Sequence, residues 1–427
     1  MSASATATRA AVSVRAPVVP GALPALRGAL RAVDAEGDAV GQLAQVAGVH
    51  FARWMVVPGD TSLPGGQIAD SLIYTADVDG SAGDHLRRLA DVAGPVLDCT
   101  FGHCVGYPVE PSAADRLSWL RVHRTRNAAT YVNVVGLTVE RISAETRLSQ
   151  WLQRQLDDHR SDLLSRSPGE IHRRLRADAT AVPELADVLQ PATPEPLAVV
   201  LRRWFTLAAA VIIGLVLLPV LIMVGIPALL AIRRLEQRDR PDTERPDRRQ
   251  VERLRAREDA FALNPFGALG VVKAGRLRAV TVKLVLIGIA LAASTVFVRG
   301  SLAGVTTIHA ARWIPLDGGR RMIFTSCYDG SLESYMNDFI DKLAWGLNVI
   351  FSNGIGYPRT RWLILGGARD EQAFKDYLRC HQLETAVSYA AHPGLTAANI
   401  RTNAAIRKGL SRPRLDDRRA AEWLALL

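Results

Sequence analysis

The stretch Leu207–Ile232, LAAAVIIGLVLLPVLIMVGIPALLAI, is 26 residues long and carries no charge. A run of that length and polarity belongs in a bilayer rather than in a water-soluble core. Arg202-Arg203 and Arg233-Arg234 bracket it, so both ends are suited to an anionic membrane surface. Its flanks constrain the fold further. The segment His50–Thr138 before it and the segment His309–Thr396 after it read as two versions of one sequence. A chain of this kind is two copies of one soluble unit joined through a membrane element.

The correspondence is colinear. His50, Arg53 and Trp54 match His309, Arg312 and Trp313; Asp79-Gly80-Ser81 matches Asp329-Gly330-Ser331. Phe101 and Gly106-Tyr107-Pro108 match Phe351 and Gly356-Tyr357-Pro358. Leu120-Arg121 and His123 match Leu378-Arg379 and His381, and Gly136-Leu137-Thr138 matches Gly394-Leu395-Thr396. The spacing between matches changes only in loops or at one extra expected strand, Arg361–Leu365. HFARWMVV and SLIYTADV read as strands, as do TIHAARWIPL and RRMIFTSCY. Asp-Gly-Ser then turns each copy into a helix, with Ser81 and Asp84 spaced for a cap. Val96–Phe101 and Asn348–Ser352 read as strands, Ser112–His123 and Asp370–His381 as helices, and Ala128–Val135 and Ala386–Ala390 as closing strands. The order is that of a ferredoxin-like α+β unit with an added N-terminal strand. Such a sheet has one face covered by helices and one in need of a partner. The expected fold is α+β: two ferredoxin-like repeats pairing as a pseudo-dimeric α+β barrel, with a membrane-inserted helical segment between them. A void between the sheets would be the default ligand site.

The remaining segments fill in the organisation. Residues 1–48 are Ala, Val, Pro and Arg rich, without a secretory signal's apolar core, and read as a flexible arm; an organelle transit peptide has the same composition. The first repeat spans 49–156, a helix and Pro-spaced linker 157–200, and the membrane segment 201–234. A charged linker covers 235–278, and a short membrane or interfacial helix covers 279–299, where Leu284–Val298 holds 15 uncharged residues. The second repeat spans 300–410, and 411–427 is a tail. The net charge of +10 points to an acidic partner, for which anionic lipid headgroups come first. No zinc-finger spacing, RNA-binding aromatic motif or basic DNA-reading helix supports nucleic acid. The four cysteines (Cys99, Cys104, Cys327, Cys380) form no C-x-x-C pair.

The second copy, TIHAARW…FTSCYDGSLESYMNDFIDK…GARDEQAFKDYLR, resembles a family of bacterial membrane-associated proteins of unassigned function, over roughly residues 258–410. More loosely, the paired layout is similar to the dimeric α+β barrel superfamily, which includes haem-binding dye-decolourising peroxidases and chlorite dismutases. The peroxidase G-x-x-D-G signature is approached at Ala76–Gly80 and Ser326–Gly330, each without its leading glycine. That resemblance implies haem as a cofactor and Asp79 or Asp329 as a distal acid. Read from the residues alone, Asp79 and Asp329 are acid–base groups at a pocket mouth or turn-and-cap residues. His50 and His309 fall on the strand face of Trp54 and Trp313, as ligand-binding groups or packed histidines. Arg53 and Arg312 fall on the opposite face, to hold an anionic ligand or to pair at the surface. Arg202, Arg203, Arg233 and Arg234 are expected at the membrane surface. Cys99, His103 and Cys104 have no matching cluster in the second copy and make a poor metal site.

If the copies pair, both lie on one side of the membrane. Pro219 and Pro227 then favour a re-entrant hairpin over two full spans. The expected location is the membrane, with the soluble units on the cytoplasmic face. The expected function is binding of a small or lipid-like ligand at the membrane surface. A haem-dependent peroxidase-like oxidoreductase and a non-haem lipid-modifying enzyme are the alternatives.

Overall fold

The first described segment is a strand, β1 (Arg9–Pro17), where the composition had suggested a loose arm. Val12, Val14 and Ala16 alternate toward a helix-covered core and are fully buried, which a two-residue period predicts for a strand. Helices α1 (Leu23–Ala35) and α2 (Asp38–Gln45) follow. The structure is a computed structural model describing residues 9–35, 37–63, 67–163, 165–190, 197–242, 245–256, 258, 262–297 and 300–427. Residues 1–8 of the expected arm and the Pro191–Pro196 stretch of the expected linker lie outside the described residues.

The first half continues with β2 (Val49–Val57), β3 (Ser71–Asp79), α3 (Ala82–Val92), α4 (Gly94–Phe101), α5 (Ala113–Val122), β4 (Ala129–Val132) and α6 (Val139–Asp158). Short α7 (Arg160–Leu163), α8 (Pro168–Ala181) and α9 (Pro183–Leu189) occupy the region expected to be mostly linker. The apolar stretch forms α10 (Leu197–Val216) and α11 (Leu218–Arg238), followed by α12 (Arg248–Arg255). The second half holds β5 (Leu263–Val271), α13 (Arg276–Thr295), β6 (Ile308–Leu316), β7 (Arg321–Asp329), α14 (Leu332–Phe351), β8 (Thr360–Arg361), β9 (Leu365–Gly366), α15 (Glu371–His381), β10 (Thr385–Ala390), α16 (Ala397–Leu410) and α17 (Asp417–Leu424).

Side-chain caps explain several helix starts. Ser81 accepts from the Asp84 amide, Ser112 and Asp115 form a reciprocal box, and Thr138 and Thr396 cap α6 and α16. Two expected strands are helical. Val96–Phe101 lies in α4, where Pro95 suits the first turn and Val96, Leu97, Thr100 and Phe101 recur on one buried face. Asn348–Ser352 covers the end of α14 and its cap. Short apolar runs do not distinguish the two states by pattern. Arg361–Leu365 is not one strand but the two arms and loop of the β8–β9 hairpin.

Two four-stranded antiparallel sheets result, ordered β1-β3-β2-β10 and β4-β6-β7-β5. Each thus contains one strand from the other half. Val387 of β10 stands opposite Trp54, and Ala129 of β4 stands opposite Trp313. Helices cover the outer face of each sheet over separate cores, one around Trp54, Tyr74 and Phe101, the other around Trp313, Phe324 and Tyr335. The inner faces meet each other: Met55, Val57 and Ile73 pack with Ile314, Leu316 and Ile323. Helices α6, α8, α9, α16 and α17 build a further core around Leu148, Leu175, Leu410 and Trp423.

Among the described residues two helices are long and apolar enough to cross a membrane, α11 and α13. Their surroundings differ. Val282, Ile289, Ala290 and Ala293 of α13 pack on the second sheet's core, and the helix lies against β4, while Val280, Leu284 and Ile287 face outward. In α10 and α11 nearly every large apolar side chain is exposed, from Trp204 and Phe205 through Leu230. The run breaks at Leu217, and Pro219 sits in the first turn of α11, where its missing N–H costs nothing.

Candidate functional site

Two buried His–Asp pairs stand at equivalent places in the halves. His50 Nε2 lies 2.9 Å from Asp79 Oδ1, and His309 Nε2 lies 2.6 Å from Asp329 Oδ1. In each pair the second carboxylate oxygen accepts the first amide of a helix, Val139 N of α6 at 2.9 Å and Ala397 N of α16 at 2.8 Å. A carboxylate at a helix N-terminus also complements its dipole. The first pair has an extra partner: Arg9 Nη2 sits 3.0 Å from His50 Nδ1 and 3.1 Å from Leu137 O. A guanidinium only donates, so His50 Nδ1 accepts and the ring proton resides on Nε2, facing Asp79. Burial, then the neighbouring Arg9, push the His50 pKa down to about 4, so the ring is neutral at pH 7. Burial opposes ionisation of Asp79, but His50, the Val139 amide and Arg9 outweigh it and hold the carboxyl below its ordinary range.

These pairs do not stand at an open pocket mouth, as acid–base chemistry would require. His50 and His309, with Arg9, Phe51 and His392, line a void of about 10 Å³, room for one water at most. Both oxygens of each carboxylate already carry a protein donor. The pairs fasten the helix after each exchanged strand to the neighbouring sheet. The same space tests the haem expectation. A void of this size does not admit a porphyrin, and the residues do not fit the group. Among the described residues no cluster of three or more His, Cys, Asp or Glu is arranged to hold a metal; Cys99 is exposed and Cys104 buried.

Arg53 and Arg312 are not surface residues. Both reach across the gap between the sheets and are buried. Arg312 pairs with Asp77 Oδ2 at 2.5 Å and donates to Val12 O at 2.8 Å. Arg53 donates to Phe266 O at 2.8 Å and Ser326 O at 3.0 Å, but meets Cys327 Sγ where Arg312 meets a carboxylate. Burial pushes the Cys327 thiol up to about 11, so it stays neutral. Among the described residues no carboxylate forms an ion pair with Arg53. Arg53 and Cys327 border a cavity of about 400 Å³ between the β10 and β5 edges, with Phe51, Leu254, Ser388 and Tyr389 also in its wall. This is the size of small-molecule sites. The space between the sheets is therefore packed at its centre and open at one side.

Of the bracketing arginines, Arg202 and Arg234 are exposed. Arg233 is turned toward the protein, 3.2 Å from Glu236 Oε2 and 3.3 Å from Thr360 O. Arg203 is half-buried. His123 and His381 each bond the carbonyl four residues back in their helix, and Tyr107 and Tyr357 bond Asp98 and Asn348. Sequence reasoning missed Arg9, Asp77, Cys327 and Glu236. Only Asp77 and Cys327 left a trace, as facing positions two residues before the matched Asp79 and Asp329. No protein-family model, curated protein or solved structure matches the chain.

Proposed function

We propose that this chain is a monotopic membrane protein whose two ferredoxin-like repeats close a pseudo-dimeric α+β barrel, and that it binds a small or lipid-like ligand at the membrane surface. The reading rests on one observation: a bare apolar helix pair, α10–α11, leaves and re-enters a body whose halves share strands. Matching sheet orders and equivalent His–Asp pairs support the repeat. Interlocked halves must lie on one side of a bilayer. A helix with one face on a water-soluble sheet does not cross a membrane, so α13 lies along the surface and its outer apolar row meets the interface.

That leaves α10 and α11 to enter and return. From Trp204 to Val216, and from Leu218 to Leu230, each arm offers 13 largely exposed residues, about 20 Å of helix. A hydrocarbon core of about 30 Å needs roughly 20 residues. The arms therefore dip in and return, with basic residues at the anionic, cytoplasmic surface. The cavity beside Arg53 is the ligand site: its walls are mostly apolar but also hold the Arg53 cation and the carboxylates Asp34, Glu258 and Glu384, suited to an amphiphile with a polar head that carries both donors and acceptors.

Two measurements test this. In a variant stripped of the four native cysteines, single cysteines replacing Ser161 and Lys342, one in each half, should both resist an impermeant thiol reagent in intact cells and react after lysis; labelling of either before lysis refutes the topology. Mass spectrometry of protein purified in mild detergent should find a bound small molecule that Ser388→Trp, which intrudes into the cavity from its wall, weakens or removes. An empty wild-type protein counts against the binding reading.

A further inference from the structure

The root of α11 is fastened to the second half more firmly than a tether requires. Glu236 is completely buried, and its carboxylate accepts from Thr360 Oγ1 at 2.8 Å, Trp362 N at 2.9 Å and Leu363 N at 2.8 Å, with Arg233 Nη1 at 3.2 Å. One turn on, Asp239 Oδ2 accepts from Arg278 and Lys273 at 2.7 and 2.8 Å. The next residues run beside Gly356, which accepts from the Asp242 amide. All of Glu236's backbone donors come from the three-residue loop of the β8–β9 hairpin.

That loop is unusual in conformation and in what it exposes. Trp362 and Leu363 have φ of +58° and +63°, left-handed values that non-glycine residues seldom adopt and that a surrounding structure must hold in place. Here the holding group is Glu236, whose oxygens draw both amides inward. In consequence Trp362, Ile364 and Leu365 remain 39%, 42% and 39% exposed at the surface. The Arg233 guanidinium stands 6.0 Å from the Trp362 ring centre. A tryptophan with a cation beside it, on an apolar tip at the root of an apolar helix, is the composition of a membrane–water boundary.

We infer that the Trp362–Leu365 tip inserts into the headgroup region of the bilayer beside α11, and that Glu236 is the positioning residue that holds it there. The inference rests on the membrane reading above and deepens it. It adds a contact for the second half beyond the α11 root and the outer row of α13, so the body has a fixed tilt. The exposed Arg234 and Arg361 flank the same region and suit anionic headgroups.

The test uses the full chain with Cys99 and Cys380 replaced by serine, reconstituted in vesicles of phosphatidylcholine with phosphatidylglycerol. A nitroxide is attached at one introduced cysteine at a time, Ile364→Cys, Ile222→Cys in α11 or Val109→Cys in the first half. Its accessibility to oxygen, which enriches in lipid, is compared with that to a water-soluble nickel chelate. Position 364 should favour oxygen, at a shallower depth than 222, while 109 should favour nickel. Glu236→Gln replaces one acceptor oxygen by an NH2 group that opposes the loop amides. It should raise nickel accessibility at 364 several-fold without changing 222. If 364 is as water-exposed as 109 while 222 is lipid-exposed, the tip inference is overturned and the membrane reading stands. If 222 is also in water, both fall. Unchanged accessibility at 364 in Glu236→Gln would overturn the positioning role alone.

Discussion

The two inter-sheet arginines occupy equivalent positions with unequal partners, so equal substitutions should have unequal effects. Replacing Arg312 with methionine keeps the length of the side chain but strips the cation from Asp77, which is 6% exposed, and the donor from Val12 O. An uncompensated buried charge typically costs about 3–5 kcal/mol. Replacing Arg53 in the same way leaves a neutral thiol and two carbonyls. Each lost hydrogen bond is worth about 0.5–1.5 kcal/mol net, and the burial cost of the guanidinium disappears with it. The loss should be about 1–2 kcal/mol, so the two variants should differ by roughly 2 kcal/mol. Urea unfolding in one detergent, followed by tryptophan fluorescence, measures the difference. Asp77→Cys, which copies the second half's arrangement into the first, should lose less than Arg312→Met. Equal losses for the two arginine variants, or a larger loss at Arg53, would refute the account of what each buried charge meets.

Acid sensitivity follows from two histidines buried in the neutral state. Burial first, then nearby arginines, lower His50 to about 4 and His85 to about 3 from an ordinary 6.5. Below pH 6.5 the unfolded chain takes up protons that the folded one refuses. This contribution to stability is therefore complete above pH 6.5 and falls as pH drops toward 4 and then 3, by up to about 1.4 kcal/mol per pH unit for each histidine. His85→Phe, which gives up the Tyr74 hydrogen bond at 3.0 Å, should flatten the slope; an unchanged slope contradicts the assignment. Residues 300–410 expressed alone lack β4 and β5, the outer strands of their sheet. They should aggregate or self-pair along open edges, and a folded monomer in light scattering would count against that.

The elements legible in the sequence were those with strong local signals. β2, β3, β6 and β7 are rich in branched and aromatic residues, and α3, α5 and α14 open on capping side chains. β1 escaped notice because its alternation of Val12, Val14 and Ala16 lies in an alanine-rich stretch that resembles low-complexity chain. β5 carries Pro265, Gly267 and Gly270, which argue against a central strand; it is an outer strand, where proline is tolerated. The exchange of β4 and β10 left no trace, because period-two patterning tells which face is buried and not which half supplies the neighbour. For the candidate site, matched positions singled out His50, Asp79, Arg53 and their counterparts as special. They could not tell that the polar groups bond to one another, because Arg9 is distant in sequence from His50, as Asp77 is from Arg312, and neither carries a motif.

The exchanged strands also order events in time. The first sheet is completed by β10, residues 385–390, so it cannot close until nearly the whole chain has left the ribosome. By then α10 and α11 have long emerged. The apolar segment is complete while the first half still presents an unpaired β2 edge, and a ribosome stalled anywhere in the second half leaves that edge exposed. Synthesis of such a chain calls for protection of an open sheet over roughly 300 residues of elongation, from the end of β3 to β10, about 15–60 s at about 5–20 residues per second.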